Sequence, residues 1–550
     1  MSKLDSFLNP AELPYDIDEW KKLPFHLRAK KVCEAWAMQG FGAPPAVAIF
    51  YVIKIAFYIW MWFFFCSYST ELGDRASLGQ WWFKLEALGK AITWTILIEV
   101  LGMGGASGPL TGRYSPPFGG ITYWLIPGTI KAPMIKMLGD KRTIIDVLLY
   151  IALLFFLVKA CIAPAVTPEV ALPILVLLPI LGLLDRQIYL AARADIYFPS
   201  LFVFLFIGEA GGALQIIWFA IWFWAAFSKL TPTFTSVIAV MICNSPFLNF
   251  KFLKKMMFKN YPTDIRLSNT ANYISHFGTV VEFSLPILLM TGTLLGWPYE
   301  IMFYCLVGMT AFHTFIFMNF PMGVPMEWNV IMVFGGWLLF GFNPELSPTA
   351  VSHPLLIGVL VVTCFILPLV GNFFPKYVSF LMSMRYYAGT WPYSVWFIKK
   401  GVKMEKLDPN VKKTSKDLRV QLADMKMDQR TIDSVFSRVI AFRYMHLPGR
   451  ALHDLIPKAV SNIEEYTWFE GENIGGEVLG WNFGDAHLHD ERLIASLQKR
   501  CNFESGEVRV IMVESPQLHN GRLHWRIHDA KDGFMEEGAT YIKDLSLIHI

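Results

Sequence analysis

Two sets of side chains in this sequence have the types and spacing for chemistry. The denser lies near the end, in "GWNFGDAHLHDERLIASLQKR" (480–500), where Asp485, His487, His489, Asp490 and Glu491 fall within seven positions. If 481–489 runs extended, Asp485, His487 and His489 point to one face at period two and offer three ligands suited to zinc, manganese or iron. "HWRIHDA" repeats the pattern, with His524, Arg526 and His528 on one face and Asp529 following. A divalent metal in the C-terminal region is therefore one expectation. The other is structural: Asp490 caps the helix "ERLIASLQKR", Glu491 suits its first turn, and Lys499 and Arg500 suit its last. Ala486 and Leu488 then face inward and the histidines face water. The string matches neither HxHxDH nor HExxH and brings no cysteine.

The second set lies in apolar sequence. Lys54, Glu99, Asp146, Glu209, Glu282, His313 and Glu327 each interrupt a long hydrophobic run. A charge at the middle of a bilayer costs roughly 2.5 kcal/mol or more, so such groups face a bundle interior or sit near a helix end. Glu99 in "TILIEVLG" and Glu209 in "FLFIGEAGGALQ" lie deepest, and the small residues after Glu209 permit close helix approach. Each is either a carboxylate bonded to a neighbouring helix or part of a Glu99 to Glu209 relay in a proton-linked transporter. No paired, interrupted half-helices of the kind that mark many transporter sites stand out. Asp146 and Glu327 sit near run ends, within reach of the interface. Lys229 closes the aromatic-rich run "QIIWFAIWFWAAFSKLTPTF" (215–234). A lysine used as a base must be neutral, and an apolar pocket favours the neutral amine; the same position also lets an ammonium reach the headgroups.

The elements that must position these groups follow from composition. The chain has 550 residues, 54% of them hydrophobic and 15% aromatic, with a mean hydropathy of +0.42, too apolar for a soluble protein of this length. A span needs about 20 apolar residues, and such runs occupy 46–67, 85–104, 143–163, 169–185, 199–228, 271–295, 299–320, 326–342 and 354–374. A tenth, 234–250, is interrupted by Asn244 and Pro246 and either spans or lies in the interface. The fold class is thus an all-α polytopic membrane helix bundle of nine or ten spans (46–375), preceded by an amphipathic segment (1–45). An interfacial helix (376–400), rich in aromatics and basic residues, follows, and then a small soluble α/β domain (401–544). In that domain "GEVLGWNFGD", "GEVRVIMVES" and "GRLHWRIHDA" read as strands around the helix 490–500. The closing "LSLIHI" (545–550) reads as a translated sequencing-adapter tail, which would place the native end near Asp544.

Charge gives the orientation. Lys21, Lys22, Arg28, Lys30 and Lys31 place the N-terminus inside, and Arg113, Lys131, Lys136, Lys141 and Arg142 fall inside as well. With ten spans the basic segments 251–266 and 399–406 are also inside, so the soluble domain is cytoplasmic. The first 45 residues hold no removable signal pattern. The Gly- and Pro-rich stretch between the second and third spans packs as a re-entrant loop or lies at the interface, and its glycines match no nucleotide fingerprint. The seven cysteines have no paired spacing, which argues against a disulfide framework, and no basic stripe for nucleic acid is present.

The run ending in Ala226-Phe227-Ser228-Lys229-Leu230 resembles a span of the vitamin K-dependent gamma-carboxylase superfamily, whose lysine is the proposed base that deprotonates the reduced vitamin. "ISHFGTVVEFSLPILLM", with His276, Phe277, Glu282 and Pro286, is similar to a span of the lipase maturation factors of the same broad class. "FHTFIFMNFPMGVPMEWNVIMVF" is similar to a span pair found there. This sequence has Phe227-Ser228 where a glycine is usual, and "ARADIY" (192–197) stands without a histidine where the carboxylase has an Asn-Asn-His segment. Over nearly the whole chain, the strings "LTGRY", "PGTIK", "EWNV", "MRYYAGTW" and "GWNFGDAHLHDERL" resemble an uncharacterised family of bacterial polytopic membrane proteins common in actinobacteria. That resemblance implies no known activity.

Three functions remain open. In the first, a membrane-embedded enzyme acts on a quinone-like or other lipid substrate in a polar pocket lined by Lys229, Glu282, His276 and His313. In the second, a non-catalytic maturation or assembly factor holds a protein partner through the C-terminal domain. The third is the proton-linked transporter. All three place the chain among membrane lipids, in a bacterial inner membrane.

Overall fold

The computed structural model describes residues 7–73, 75–104, 119–245, 247–319, 326–386, 388, 391–481, 483 and 485–547. Arg113 and "LTGRY", part of the Gly- and Pro-rich stretch (105–118), parts of "MRYYAGTW" and "GWNFGD", and the last three residues lie outside that description.

After an N-terminal helix α1 (Phe25–Gln39) come α2 (Pro45–Cys66), α3 (Leu85–Val100), α4 (Ile144–Ile162), α5 (Pro168–Leu184), α6 (Arg186–Ala191) and α7 (Tyr197–Phe202). Next in order are α8 (Ala210–Phe227), α9 (Phe234–Asn244), α10 (Lys251–Met257), a hairpin of β1 (Phe258–Asn260) and β2 (Asp264–Leu267), α11 (Asn269–Leu295), α12 (Tyr299–Asn319), α13 (Met326–Trp337) and α14 (Pro354–Phe373). Among the described residues six helices are long and apolar enough to cross a membrane: α2, α4, α8 with its preceding turn, α11, α12 and α14. Their outward residues are large and apolar, such as Val52 and Trp60 on α2 and Ile144 and Phe155 on α4, as a lipid-facing surface requires. Asp146 completes a capping box with Thr143 at the start of α4 and pairs with Lys131 at 2.8 Å, which accounts for an acid near the end of an apolar run.

Two places depart from uninterrupted spans. The run 199–228 is not one helix: α7 stops at Phe202, short 3-10 turns follow, and α8 begins at Ala210. Gly212 is needed at this turn, because a Cβ there would lie 2.2 Å from the backbone oxygen of Ser347. The segments on either side of the turn are themselves interrupted. α6 and α7 are separated at 192–196, where Arg193 takes a left-handed φ of 52°. α8 and α9 are separated at 228–233, around Lys229 and Pro232.

The C-terminal region holds a wholly antiparallel five-stranded sheet in the order β4-β3-β5-β6-β7: β3 (Tyr393–Lys399), β4 (Tyr466–Glu470), β5 (Val508–Val513), β6 (Arg522–Asp529) and β7 (Gly533–Tyr541). Among the described residues of 376–400 the expected interfacial helix does not form. Irregular chain leads into β3, where Tyr393 to Ile398 are all buried between β4 and β5. A strand buried on both faces shows no polar alternation, so its aromatics imitate an interfacial anchor. "GEVLGWNFGD" is likewise not a strand; its first part ends the helix α17 (Gly471–Leu479), closed by Gly480 at φ 90°. The expected strands at "GEVRVIMVES" and "GRLHWRIHDA" and the capped helix (Glu491–Cys501, here α18) do form. Leu545, at the start of the suspected tail, is buried in the last helix.

The N-terminal segment joins this region. α1 packs on α15 (Gln429–Met445), with Trp36 and Phe442 rings 5.8 Å apart and Lys21 paired with Asp433 at 2.5 Å. The sheet region also docks on the helices. Tyr123 donates to the carbonyl of Val478 at 2.6 Å, Trp124 to that of Leu479 at 3.1 Å, and Arg500 to Asp140 at 2.7 Å.

Candidate functional site

The interruption between α8 and α9 positions the first component. With the helix ended at Phe227, the Lys229 side chain turns inward instead of continuing along α8, and it is only 5% exposed. It therefore does not reach outward to headgroups. Its ammonium meets both carboxylate oxygens of Glu282, near the midpoint of α11, one of them at 2.6 Å. The Phe234 and Phe312 rings flank the ammonium, each centroid 5.5 Å away. Glu282 shares the buried face of α11 with Ala271, Ser275, Thr279 and Pro286, a helical spacing that brings one polar group to one depth.

His313 of α12 lies beside the pair. Trp222 Nε1 donates to its Nε2 at 3.0 Å, and its Nδ1 faces Asn329 Oδ1 of α13 at 2.9 Å. Lys229, Glu282, His313 and Trp222 together line a cavity of about 410 Å³ whose other walls are almost entirely apolar. Trp328 and Tyr386 also line it, and so does Phe277 of α11, which is 70% exposed. A guest would reach this cavity from the outer surface of the helices. His276 does not line it; it sits half-buried on another face of α11, one residue from the inward Ser275.

Glu99 and Glu209 are not brought together. Glu99 is buried on α3, whereas Glu209 is half-buried at the turn before α8. There it accepts hydrogen bonds from Ser352 N and Oγ at 2.8 Å and from His353 N at 3.1 Å, holding the start of α14. Its apparent depth came from reading 199–228 as one helix. Glu327, by contrast, is 1% exposed and reaches no interface.

Of the proposed metal ligands, Asp485 and His487 meet each other while His489 takes a different partner. The chain before α18 is turned, not extended, and Asp485, His487 and His489 do not share a face. His487 sits between Asp485, 3.3 Å from Nδ1, and Glu514, 3.0 Å from Nε2. Burial opposes its charge, but the two carboxylates outweigh burial and lift it to about 9. Glu514, though buried, is held down to about 2 by His487 and Arg526. His489 Nδ1 is 2.5 Å from Ser394 Oγ, and burial, with Arg443 nearby, pushes it down to about 3. His524, Arg526 and His528 do share a face of β6, but Arg526 sits between the histidines and pairs with Glu514 at 2.7 Å. Among the described residues no group of three or more His, Cys, Asp or Glu side chains could hold a metal ion.

Sequence reasoning missed Trp222, Asn329 and Tyr386 as site residues. Trp222 is hidden among the aromatics of its span, and nothing local marks Asn329 or Tyr386, whose roles come from distant helices. Residues 6–547 match the family described as transmembrane protein of unknown function (DUF3556), and the chain belongs to that family. No curated protein matches it. No solved structure matches it either.

Proposed function

We propose that this transmembrane protein is a membrane-embedded enzyme that takes a lipid-soluble, quinone-like or prenyl substrate into the cavity and transfers a proton at the Lys229–Glu282 pair. The observation that carries this reading is a buried lysine–glutamate pair on the wall of an apolar cavity reached past the exposed Phe277. A purely structural pair of this kind is often no more stable than packed hydrophobic residues. A pair facing open volume can instead exchange a proton with a guest.

The chemistry follows from charge conservation in a place of low dielectric. When a substrate hydroxyl gives its proton to the Glu282 carboxylate, its O–H bond breaks and the resulting oxyanion takes the carboxylate's place beside the Lys229 ammonium. Net charge in the cavity is unchanged, so no new uncompensated charge is buried. Lys229 thus acts as the fixed cation and Glu282 as the base, in place of a free neutral lysine. His313, with both ring nitrogens engaged, orients the wall through Trp222 and Asn329. The likeness of 215–234 and 274–290 to carboxylase and lipase maturation factor spans supports a lipid-facing site without naming the substrate.

We also infer ten crossings, with α8 and its preceding turn crossing once and α9 supplying the tenth. The packing of α1 on α15 supports an even number, with α1 and the C-terminal region on one side. The basic loops favour the cytoplasmic side of a bacterial inner membrane.

Mass spectrometry of lipids retained by the full chain in nanodiscs tests the function. The wild type should hold a hydroxyl-bearing lipid that Lys229→Met loses while still folded. Equal retention in Lys229→Met would remove the pair from substrate binding, and the double variant Lys229→Met/Glu282→Gln guards against failure caused only by an unpaired charge.

A further inference from the structure

The connection between α9 and α11 holds Lys251, Lys254, Lys255 and Lys259, and no Asp or Glu falls between Asn244 and Thr263. It lies at a membrane surface. α11 is apolar and long enough to span, and its exposed apolar residues begin at Tyr273, about one turn after its start at Asn269.

Helical spacing sorts the side chains of α10 into three stripes. Lys251 and Lys255, one turn apart, share an exposed stripe. Phe252 and Met256 share a second exposed stripe, and Phe247 and Phe250, just before the helix, are each more than half exposed. The third side is occupied. Lys254 Nζ donates to the carbonyl of Met38, near the end of α1, at 2.6 Å; Met257 is buried in the core that includes Val32 and Trp36 of α1; and Leu253 lines the cavity. The hairpin follows the same plan, with Phe258 and Ile265 buried and Lys259 exposed. Packing against α1 thus fixes the inner side, and the outer side carries aromatics beside cations.

Among the described residues no acid pairs with Lys251, Lys255 or Lys259, and Asp264, the acid closest in sequence, meets Arg266 at 2.6 Å. A helix with exposed aromatics on one stripe and lysines on the next suits the plane of the interface, its rings at the acyl boundary and its ammonium groups among phosphates. α10 packs against α11, whose exposed Tyr273, Phe277 and Val280 belong to a span and face lipid, so the occupant of this surface is lipid and not an acidic protein segment. Lysines near the surface favour headgroups of net negative charge, each by about fivefold. We infer that α10 and the β1–β2 hairpin bind the headgroups of acidic phospholipids. Leu248 and Leu253 line the cavity together with Ile274 and Glu282, which stand about 12 Å apart along α11, so the headgroup site shares a wall with the cavity. The inference does not depend on what the cavity accepts.

Native mass spectrometry of the full chain in mild detergent, titrated with phosphatidylglycerol or with phosphatidylcholine of the same acyl chains, tests it. The wild type should bind phosphatidylglycerol roughly tenfold or more tightly than phosphatidylcholine, and each of Lys251→Gln, Lys255→Gln and Lys259→Gln should weaken that binding by about fivefold. The triple glutamine variant should bind the two lipids alike, whereas Lys251→Arg/Lys255→Arg/Lys259→Arg should keep the preference. A charge-matched control, Lys499→Gln/Lys531→Gln/Lys543→Gln, removes three exposed lysines of the sheet region and should behave as the wild type. A wild type without preference would overturn the site. So would a preference that survives in the triple glutamine variant, or one that the control loses equally, since net charge alone would then account for it.

Discussion

Trp222 donates its indole N–H to Nε2 of His313, and because an indole nitrogen only donates, that contact places the ring proton on Nδ1, facing the Asn329 side-chain oxygen. One contact between two helices thus fixes the tautomer of a buried histidine at the cavity wall.

Trp222→Phe keeps the ring packing but leaves Nε2 of His313 buried without a donor. The unfolding midpoint in detergent should fall, corresponding to about 1–3 kcal/mol. An unchanged midpoint would mean that the indole contact does not set the state of His313.

Lys229→Met and Glu282→Gln each strand one member of a buried pair, and each should destabilise the helices by about 3–5 kcal/mol. The double variant should lose less than the sum of the two. Additive losses in thermal unfolding would show that the groups do not interact.

The sheet region should respond to pH in two opposite ways. His487 is raised from 6.5 to about 9, so its contribution is complete below pH 6.5 and is lost as pH rises through 9, at most about 3 kcal/mol. His489 is lowered to about 3, so its contribution is complete above pH 6.5 and is lost as pH falls toward 3. His487→Gln should flatten the alkaline limb of a pH-resolved melting series and leave the acid limb, and His489→Gln the reverse. A common effect of both variants on both limbs would contradict the separate partners.

Chelation should not matter to this region. A strong chelator should leave the melting of the full chain unchanged, because His487 is already held between Asp485 and Glu514 and His489 Nδ1 meets Ser394. A metal-dependent rise in melting temperature that His487→Ala with His489→Ala abolishes would restore a metal site.

Much of the membrane architecture was legible because it depends on counting apolar residues. The spans now α2, α4, α11, α12 and α14 stand near their expected limits, and Asp490 caps α18 as its position before the helix suggested. The failures share a cause. Uniform apolarity over 199–228 carries no period, so a turn at Glu209 is invisible; a strand buried on both faces, β3, looks like an amphiphilic helix.

The sequence by itself determined that this chain lives among apolar helices, that Lys229, Glu282 and His313 lie in them, and that a smaller mixed region follows. These conclusions rest on residue types and local spacing, which act over a few turns. Only the tertiary structure decided that Lys229 faces Glu282 across 53 positions, that His276 does not line the cavity, that Glu209 holds the start of α14, and that His487 and His489 answer to different partners. A buried charge must find its counterpart wherever packing brings one within reach, and in a helix bundle that counterpart comes from another helix, at a distance no local pattern records.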